Sequence, residues 1–205
     1  FSVFGDRELR CVSGLSLGLC EQLPTVKILN LGGGYKVGRM ASEPSTDLAV
    51  VGVPVKAAFE EFAERTGREL ALEVEPGTFL VANAGALLTT VQDVVTTGSD
   101  GHTFLKLDSG MTELLRPSLY GAQHPISVFN VDAAAEGTAK TVIVGHCCES
   151  GDLVTPAPDE PETLLPRLTA GPVAIDDVVV VDGKPKTPYL AFRTTHRPRR
   201  FPLPP

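Results

Sequence analysis

The chain has 205 residues, of which 42% are hydrophobic and 21% charged, and a net charge of −7. That is ordinary globular composition, long enough for one large or two small cores, and it excludes disordered and fibrous classes. No apolar run approaches the length of a membrane span, and the acidic balance disfavours nucleic acid as a partner.

The opening residues, Phe1 to Arg7, lack the basic-then-apolar layout of a secretory signal. Ser16 to Leu23 reads as the end of a helix closed by Pro24. Val26 to Leu31 is a short apolar run that stops at Gly32-Gly33-Gly34, the pattern of a buried parallel strand bounded by a turn. Pro54 can open a helix at its first position. Val55, Ala58, Phe59, Phe62 and Ala63 then recur at helical spacing, and Gly67 closes the segment. Leu70, Leu72 and Val74 alternate up to Glu75-Pro76-Gly77, a second strand ending in a turn. Two successive strand–turn–helix units predict a parallel α/β layout.

After about residue 80 the pattern changes to runs rich in Val, Thr, Leu and Phe. Leu88–Thr97, Thr103–Leu107, Ile126–Val131, Thr141–Val144 and Val178–Val181 read as strands of an antiparallel β domain. Pro156 to Pro161 reads as a polar, proline-rich loop. From Lys184 the chain holds six basic residues, no acidic ones and six prolines, without periodicity. The four cysteines, Cys11, Cys20, Cys147 and Cys148, show neither metal-ligand spacing nor a disulfide framework, which points to a reducing compartment and no metal.

Four places carry reactive chemistry. Gly32-Gly33-Gly34 is either a tight turn or a cradle whose amides face a phosphate. Glu75 is either a solvated loop acid or, at the C-terminal edge of a parallel sheet, a partner for a protonated ring nitrogen. Arg116 and Tyr120, read as lying in a loop, are either a surface Arg and a packed Tyr or donors to a carboxylate. Cys148-Glu149-Ser150-Gly151-Asp152 combines a thiol that can deliver a proton with carboxylates that can hold an ammonium. Its alternatives are a buried cysteine and solvated acids. The histidines form no ligand spacing.

LNLGGGYKVG (29–38), EVEPGTFLVANAG (73–85), LDSGMTELLRPSLYGAQHPI (107–126) and TVIVGHCCESGD (141–152), in that order, resemble the diaminopimelate decarboxylases. These belong to the alanine-racemase-like group of pyridoxal-phosphate enzymes. The resemblance covers about residues 13 to 183. It implies an α/β plus β fold: residues 1–85 as the C-terminal part of a (β/α)8 barrel, residues 86–183 as an antiparallel β-barrel or sandwich, and 184–205 as a tail outside the match. It implies pyridoxal 5′-phosphate as cofactor, held by Gly33, Gly34, Glu75, Pro76, Gly77 and Thr78, with Glu75 keeping the pyridine nitrogen protonated. Arg116, Tyr120 and Glu149 would contact an amino-acid substrate, and Cys148 would protonate the carbanion left by CO2. It further implies a homodimer with shared active sites, no nucleic acid, no membrane, and a cytoplasmic location, or a plastid in a eukaryote. Relatives acting on ornithine carry Asp where Glu149 stands and lack the Arg-Pro-x-Leu-Tyr pattern.

The sequence departs from the family in three places. No segment matches the Schiff-base lysine, which in relatives lies near the first barrel strand. Thr78 stands where many relatives have Arg. After Gly183 the relatives' cofactor-contacting tyrosine has no aligned counterpart, Tyr189 being close, and the ending resembles out-of-frame translation. The expectation is the back part of a decarboxylase that converts meso-diaminopimelate to L-lysine and CO2. The alternatives are an inactive paralogue that regulates a decarboxylase subunit, and an enzyme for another basic amino acid.

Overall fold

A computed structural model of the protein describes residues 6–131, 137–183 and 190–193. They fall into two compact units, Phe1–Asn83 and Ala84–Pro205.

In the first unit, α1 (Asp6–Glu21) runs into β1 (Ile28–Asn30), and α2 (Leu48–Thr66) leads to β2 (Ala71–Glu73). Helix α2 begins a turn and a half before Pro54, which lies inside it. The Asp47 carboxylate caps the start, accepting from Ala49 N at 2.9 Å, so the helix is already under way when the proline arrives. Gly67, at φ 67°, ends it as the sequence suggests. Val51 and Val55 pack with Leu9 and Leu31, and Phe62 packs with Leu17 and Cys20. The Arg68 guanidinium ties the end of α1 down, donating to the carbonyls of Cys20 (2.9 Å), Leu23 (3.2 Å) and Val26 (2.8 Å), and it lies over the Phe62 ring. Strands β1 and β2 pair in parallel, Ile28 opposite Ala71 and Asn30 opposite Glu73. They are not buried as expected: Ile28, Leu72 and Val74 are roughly half exposed, because among the described residues the pair has no further strand beside it. A short helix, α3 (Thr78–Val81), and a single 3-10 turn close the unit.

The second unit is built on a seven-stranded sheet. Its members are β3 (Gly85–Thr96), β4 (Thr103–Leu107), β5 (Ile126–Phe129), β6 (Thr138–Val144), β9 (Arg167–Ala170), β10 (Val178–Asp182) and β11 (Leu190–Arg193). The strand order is β5-β10-β3-β4-β6-β9, with β11 beside the start of β3. Strand β3 is long enough to pair with β10 through residues 86–90 and with β4 through 91–96, and a bulge at Val91/Asp93 separates the two stretches. The edge strands β5 and β9 approach each other, so the sheet curls nearly into a barrel. Val91, Leu105, Leu107, Ile143, Val179 and Val181 fill it.

Most pairs are antiparallel, but β4 and β6 run in parallel. Their connection passes through a helix, α4 (Leu115–Tyr120), where a loop was expected. Pro117 is buried in that helix, and Gly121, at φ 62°, ends it. The stretch expected as a proline-rich loop is a small hairpin, β7 (Pro156–Ala157) with β8 (Glu160–Leu164). Leu190–Arg193 supplies a strand within the aperiodic tail, because four residues suffice to pair with Gly85–Leu88. Tyr189 lies outside the described residues.

Candidate active site

Three groups of candidate side chains form, one in the first unit and two in the second. In the first, the turns after β1 and β2 lie at the same C-terminal edge of the parallel pair. Glu75 N donates to Gly32 O at 2.7 Å, which stitches the turns together. A Cβ at Gly33 would collide with the Glu75 carbonyl, so this position must be glycine for packing alone. Gly32 and Gly34 have positive φ, 77° and 97°, and open space faces Gly32 where a side chain would stand. Gly77 also has positive φ, 48°, and leads Thr78 into α3.

Asn30 is a member of this cluster that reasoning from sequence passed over. Its Oδ1 accepts from Gly32 N at 2.7 Å and its Nδ2 donates to Glu75 Oε1 at 2.9 Å. One side chain thereby fixes both the glycine turn and the acidic side chain. The signal was available as the Asn that ends β1, since Asn readily bonds the amide two residues on.

The second cluster lines a cleft of about 1200 Å³ in the β unit. Leu107 ends β4, and Asp108 follows it into the cleft wall. Partial burial works against the Asp108 charge, but hydrogen bonds from the Thr89 hydroxyl and from the amide and hydroxyl of Thr90 outweigh it and hold the carboxyl below its ordinary range. Next comes the turn Ser109–Glu113. Glu113 Oε2 accepts from the Thr112 hydroxyl at 2.6 Å and from Gly110 N at 3.0 Å, and His146 Nε2 lies 3.5 Å away. Burial again opposes the charge, and these neighbours overcome it and lower the Glu113 carboxyl.

The loop Gly145–Asp152, between the ends of a β bridge at Val144 and Leu153, presents the reactive residues. Cys148 and Glu149 are both exposed on it and line the cleft. Glu149 Oε1 accepts from Gly151 N at 3.1 Å, so its side chain folds back over its own turn. Cys147 is half-buried, and its thiol is pushed up by desolvation and by the carboxylates of Asp152 and Glu113. Cys11, Cys20, Cys147 and Cys148 are free thiols. Asp152 is not the solvated acid that one reading of the sequence allowed. It is 3% exposed, because two glycines leave room for its carboxylate inside the loop.

Arg116 and Tyr120 lie one turn apart on α4, with the guanidinium 5.4 Å from the ring centroid. Both are exposed, and neither lines the cleft that holds Cys148 and Glu149. The residues singled out from sequence therefore form three local groups: the glycine turn with Glu75, the Arg116–Tyr120 pair, and the Cys148–Glu149 loop. No helix among the described residues is long and apolar enough to cross a membrane.

Residues 15–182 match the model of the pyridoxal-dependent decarboxylase C-terminal sheet domain. Diaminopimelate decarboxylase of Escherichia coli (strain K12) is 37% identical over 133 residues, which is 63% of this chain and 31% of that protein. The enzyme of the same name from Streptomyces coelicolor is 34% identical over 154 residues, 73% of this chain and 34% of its own. A crystal structure of diaminopimelate decarboxylase superposes with a TM-score of 0.76 at 29% identity, over 92% of this chain and 48% of that one. The chain thus spans about a third of the length of these curated relatives.

Proposed function

The chain belongs to the pyridoxal-dependent decarboxylase family, and on that premise we propose that it is the C-terminal part of a diaminopimelate decarboxylase, which converts meso-diaminopimelate to L-lysine and CO2. One observation carries the reading: an adjacent thiol and carboxylate, Cys148 and Glu149, stand exposed at a cleft, on a loop held by its own hydrogen bonds. The half-exposed faces of β1 and β2 fit a strand pair belonging to a larger parallel sheet, which is normally covered on both sides. The lysine that would bind the cofactor covalently belongs, in this proposal, to barrel residues other than these.

The residues fit two ends of pyridoxal phosphate. The positive φ of Gly32 and Gly34, with open space at Gly32, suits close approach of an anion. Glu75, oriented by Asn30, suits a protonated ring nitrogen. When bound, the cofactor supplies a sink for the electrons released with CO2. The amides of Gly33 and Gly34 would hold its phosphate, within a wall completed by Pro76, Gly77 and Thr78, and the Glu75 carboxylate would keep the proton on its ring nitrogen.

On the substrate, the Arg116 guanidinium and the Tyr120 hydroxyl would receive the distal carboxylate, a planar acceptor that a guanidinium matches with two donors. The Glu149 carboxylate would take the distal ammonium. Cys148 Sγ would deliver the proton to the α-carbon after CO2 leaves. Diaminopimelate carries both charges at its far end, and an Arg plus a Glu answers both. The enzyme would act as a homodimer in which Cys148 and Glu149 serve the partner's active site, in the cytoplasm, or in a plastid if the source is eukaryotic.

The test is CO2 release by the enzyme containing this chain, with meso-diaminopimelate, ornithine and lysine offered in parallel. Preference for meso-diaminopimelate supports the reading. Faster release from ornithine or lysine overturns the substrate assignment.

A further inference from the structure

We propose that Asp152 is a positioning residue, a buried clasp that locks the Cys148–Glu149 loop onto the Ser109–Glu113 turn. The inference rests on the functional reading above only in that it gives the loop its use. The clasp itself follows from geometry.

The Asp152 carboxylate reaches in two directions. Oδ1 accepts from Met111 N at 2.7 Å, 41 residues away in sequence, and Oδ2 accepts from Cys147 N at 2.9 Å within its own loop. The backbone of Asp152 joins in, since its carbonyl accepts from Gly145 N at 2.9 Å and its amide donates to Glu149 O at 3.1 Å. A carboxylate bonded to two amides inside a protein gains strong, charge-assisted hydrogen bonds that fix both donors. The sequence makes room for it. A Cβ at Gly110 or at Gly145 would collide with the Asp152 carboxylate, so both positions have to be glycine while the aspartate occupies its niche.

A second tie runs parallel to the first. His146 Nε2 lies 3.2 Å from Thr112 Oγ1 and 3.5 Å from Glu113 Oε2, joining the same loop to the same turn nearer the surface. Among the described residues, Cys148 and Glu149 themselves make no comparable demand on the loop, and the Glu149 side chain is bonded within its own turn, by Ser150 and Gly151. The orientation of the two exposed reactive side chains is therefore set from behind, by Asp152 through Cys147. This gives SGD (150–152) a purpose that its place beside the thiol does not reveal: Asp152, 3% exposed in the wall of the cleft, spends both carboxylate oxygens on backbone amides.

The experiment compares the parent chain with Asp152→Asn and Gly110→Ala. The first weakens the carboxylate as a double acceptor. The second drives a methyl group into it without altering charge. Amide hydrogen exchange is read at Met111 and Cys147, with Leu105 and Ile143 in the core strands as references. Alkylation of Cys148 by iodoacetamide is timed against Cys11. In both variants exchange at Met111 and Cys147 should speed up by about tenfold while the references keep their protection. The Cys148 alkylation rate should shift by roughly threefold or more, with Cys11 unchanged. Unchanged exchange at Met111 and Cys147 overturns the proposal. So does loss of protection throughout β4 and β6, or failure of both variants to fold, because Asp152 would then hold the sheet rather than the loop. Failure of the decarboxylase reading looks different: diaminopimelate would not be turned over, and the exchange signature would remain.

Discussion

Arg68→Met removes three donors while keeping the side-chain stem, and its cost can be worked from the structure. The guanidinium donates to three carbonyls, those of Cys20, Leu23 and Val26, where α1 ends and the chain turns into β1. Cys20 O and Leu23 O each keep a backbone amide, from Leu23 N and Val26 N, so those two carbonyls are weakened rather than orphaned. At a half-buried site each charge-assisted bond contributes about 1 kcal/mol net. The lost contact over the Phe62 ring adds about 0.5 kcal/mol. The total, about 3.5 kcal/mol, corresponds to roughly a few hundredfold more frequent opening of the unit. Because the chain has two units, a single melting curve would mix two transitions, and amide exchange at Leu31 and Ala71, whose N–H groups bond across the β1–β2 pair, is the better assay. Those amides should exchange roughly a few hundredfold faster in Arg68→Met. Arg68→Lys, which keeps the charge but not the fork, should fall between. Exchange within about twofold of the parent in Arg68→Met would mean that these three bonds do not hold the unit closed.

Asp108 gives a pH prediction. Its folded carboxyl lies below the ordinary 3.8, so its stabilisation is fully present above that value and is lost as pH falls through the lower folded one. Thr89→Val removes one donor and raises the folded value, so the second unit should lose less stability as pH falls below 3.8, as followed by denaturant midpoints; an identical acid slope would count against it. Gly33→Ala sets a methyl group against the Glu75 carbonyl, which should cost about 1–3 kcal/mol and abolish retention of pyridoxal phosphate through dialysis, read by absorbance. Glu149→Gln should raise KM for meso-diaminopimelate by about tenfold or more, with a smaller effect on kcat, if the carboxylate holds the distal ammonium. An unchanged KM would move that role elsewhere.

What was legible in the sequence was what periodicity and punctuation control. Thr103–Leu107 is a strand with the bounds read from its apolar run, and Gly67 ends α2 because only a left-handed residue closes it there. The parallel pairing of β1 and β2 followed from two strand–turn–helix units in succession. What was missed depends on few residues or distant partners. Helix α4 has six residues and contains Pro117, so no periodicity could announce it. The β7–β8 hairpin is hidden by Pro156 and Pro161, and β7 is two residues long. The start of α2 went unseen because Leu48-Ala49-Val50-Val51 is apolar on every side, and only the Asp47 cap marks it. In the site, adjacent residues such as Cys148 and Glu149 were visible because sequence neighbours share a loop. Asn30 with Glu75 and Asp152 with Met111 are joined across 45 and 41 residues, and no local pattern encodes such pairs.

In the proposed enzyme, Cys148 of this chain supplies the proton-donating thiol of a diaminopimelate decarboxylase. The direct measurement replaces the matching C-terminal part of an active diaminopimelate decarboxylase with residues 15–183 of this chain and follows CO2 release from meso-diaminopimelate, with and without Cys148→Ser. The chimera should be active, and its kcat should fall by about a hundredfold or more in the serine variant while pyridoxal phosphate stays bound. A Cys148→Ser chimera as fast as its parent would contradict it.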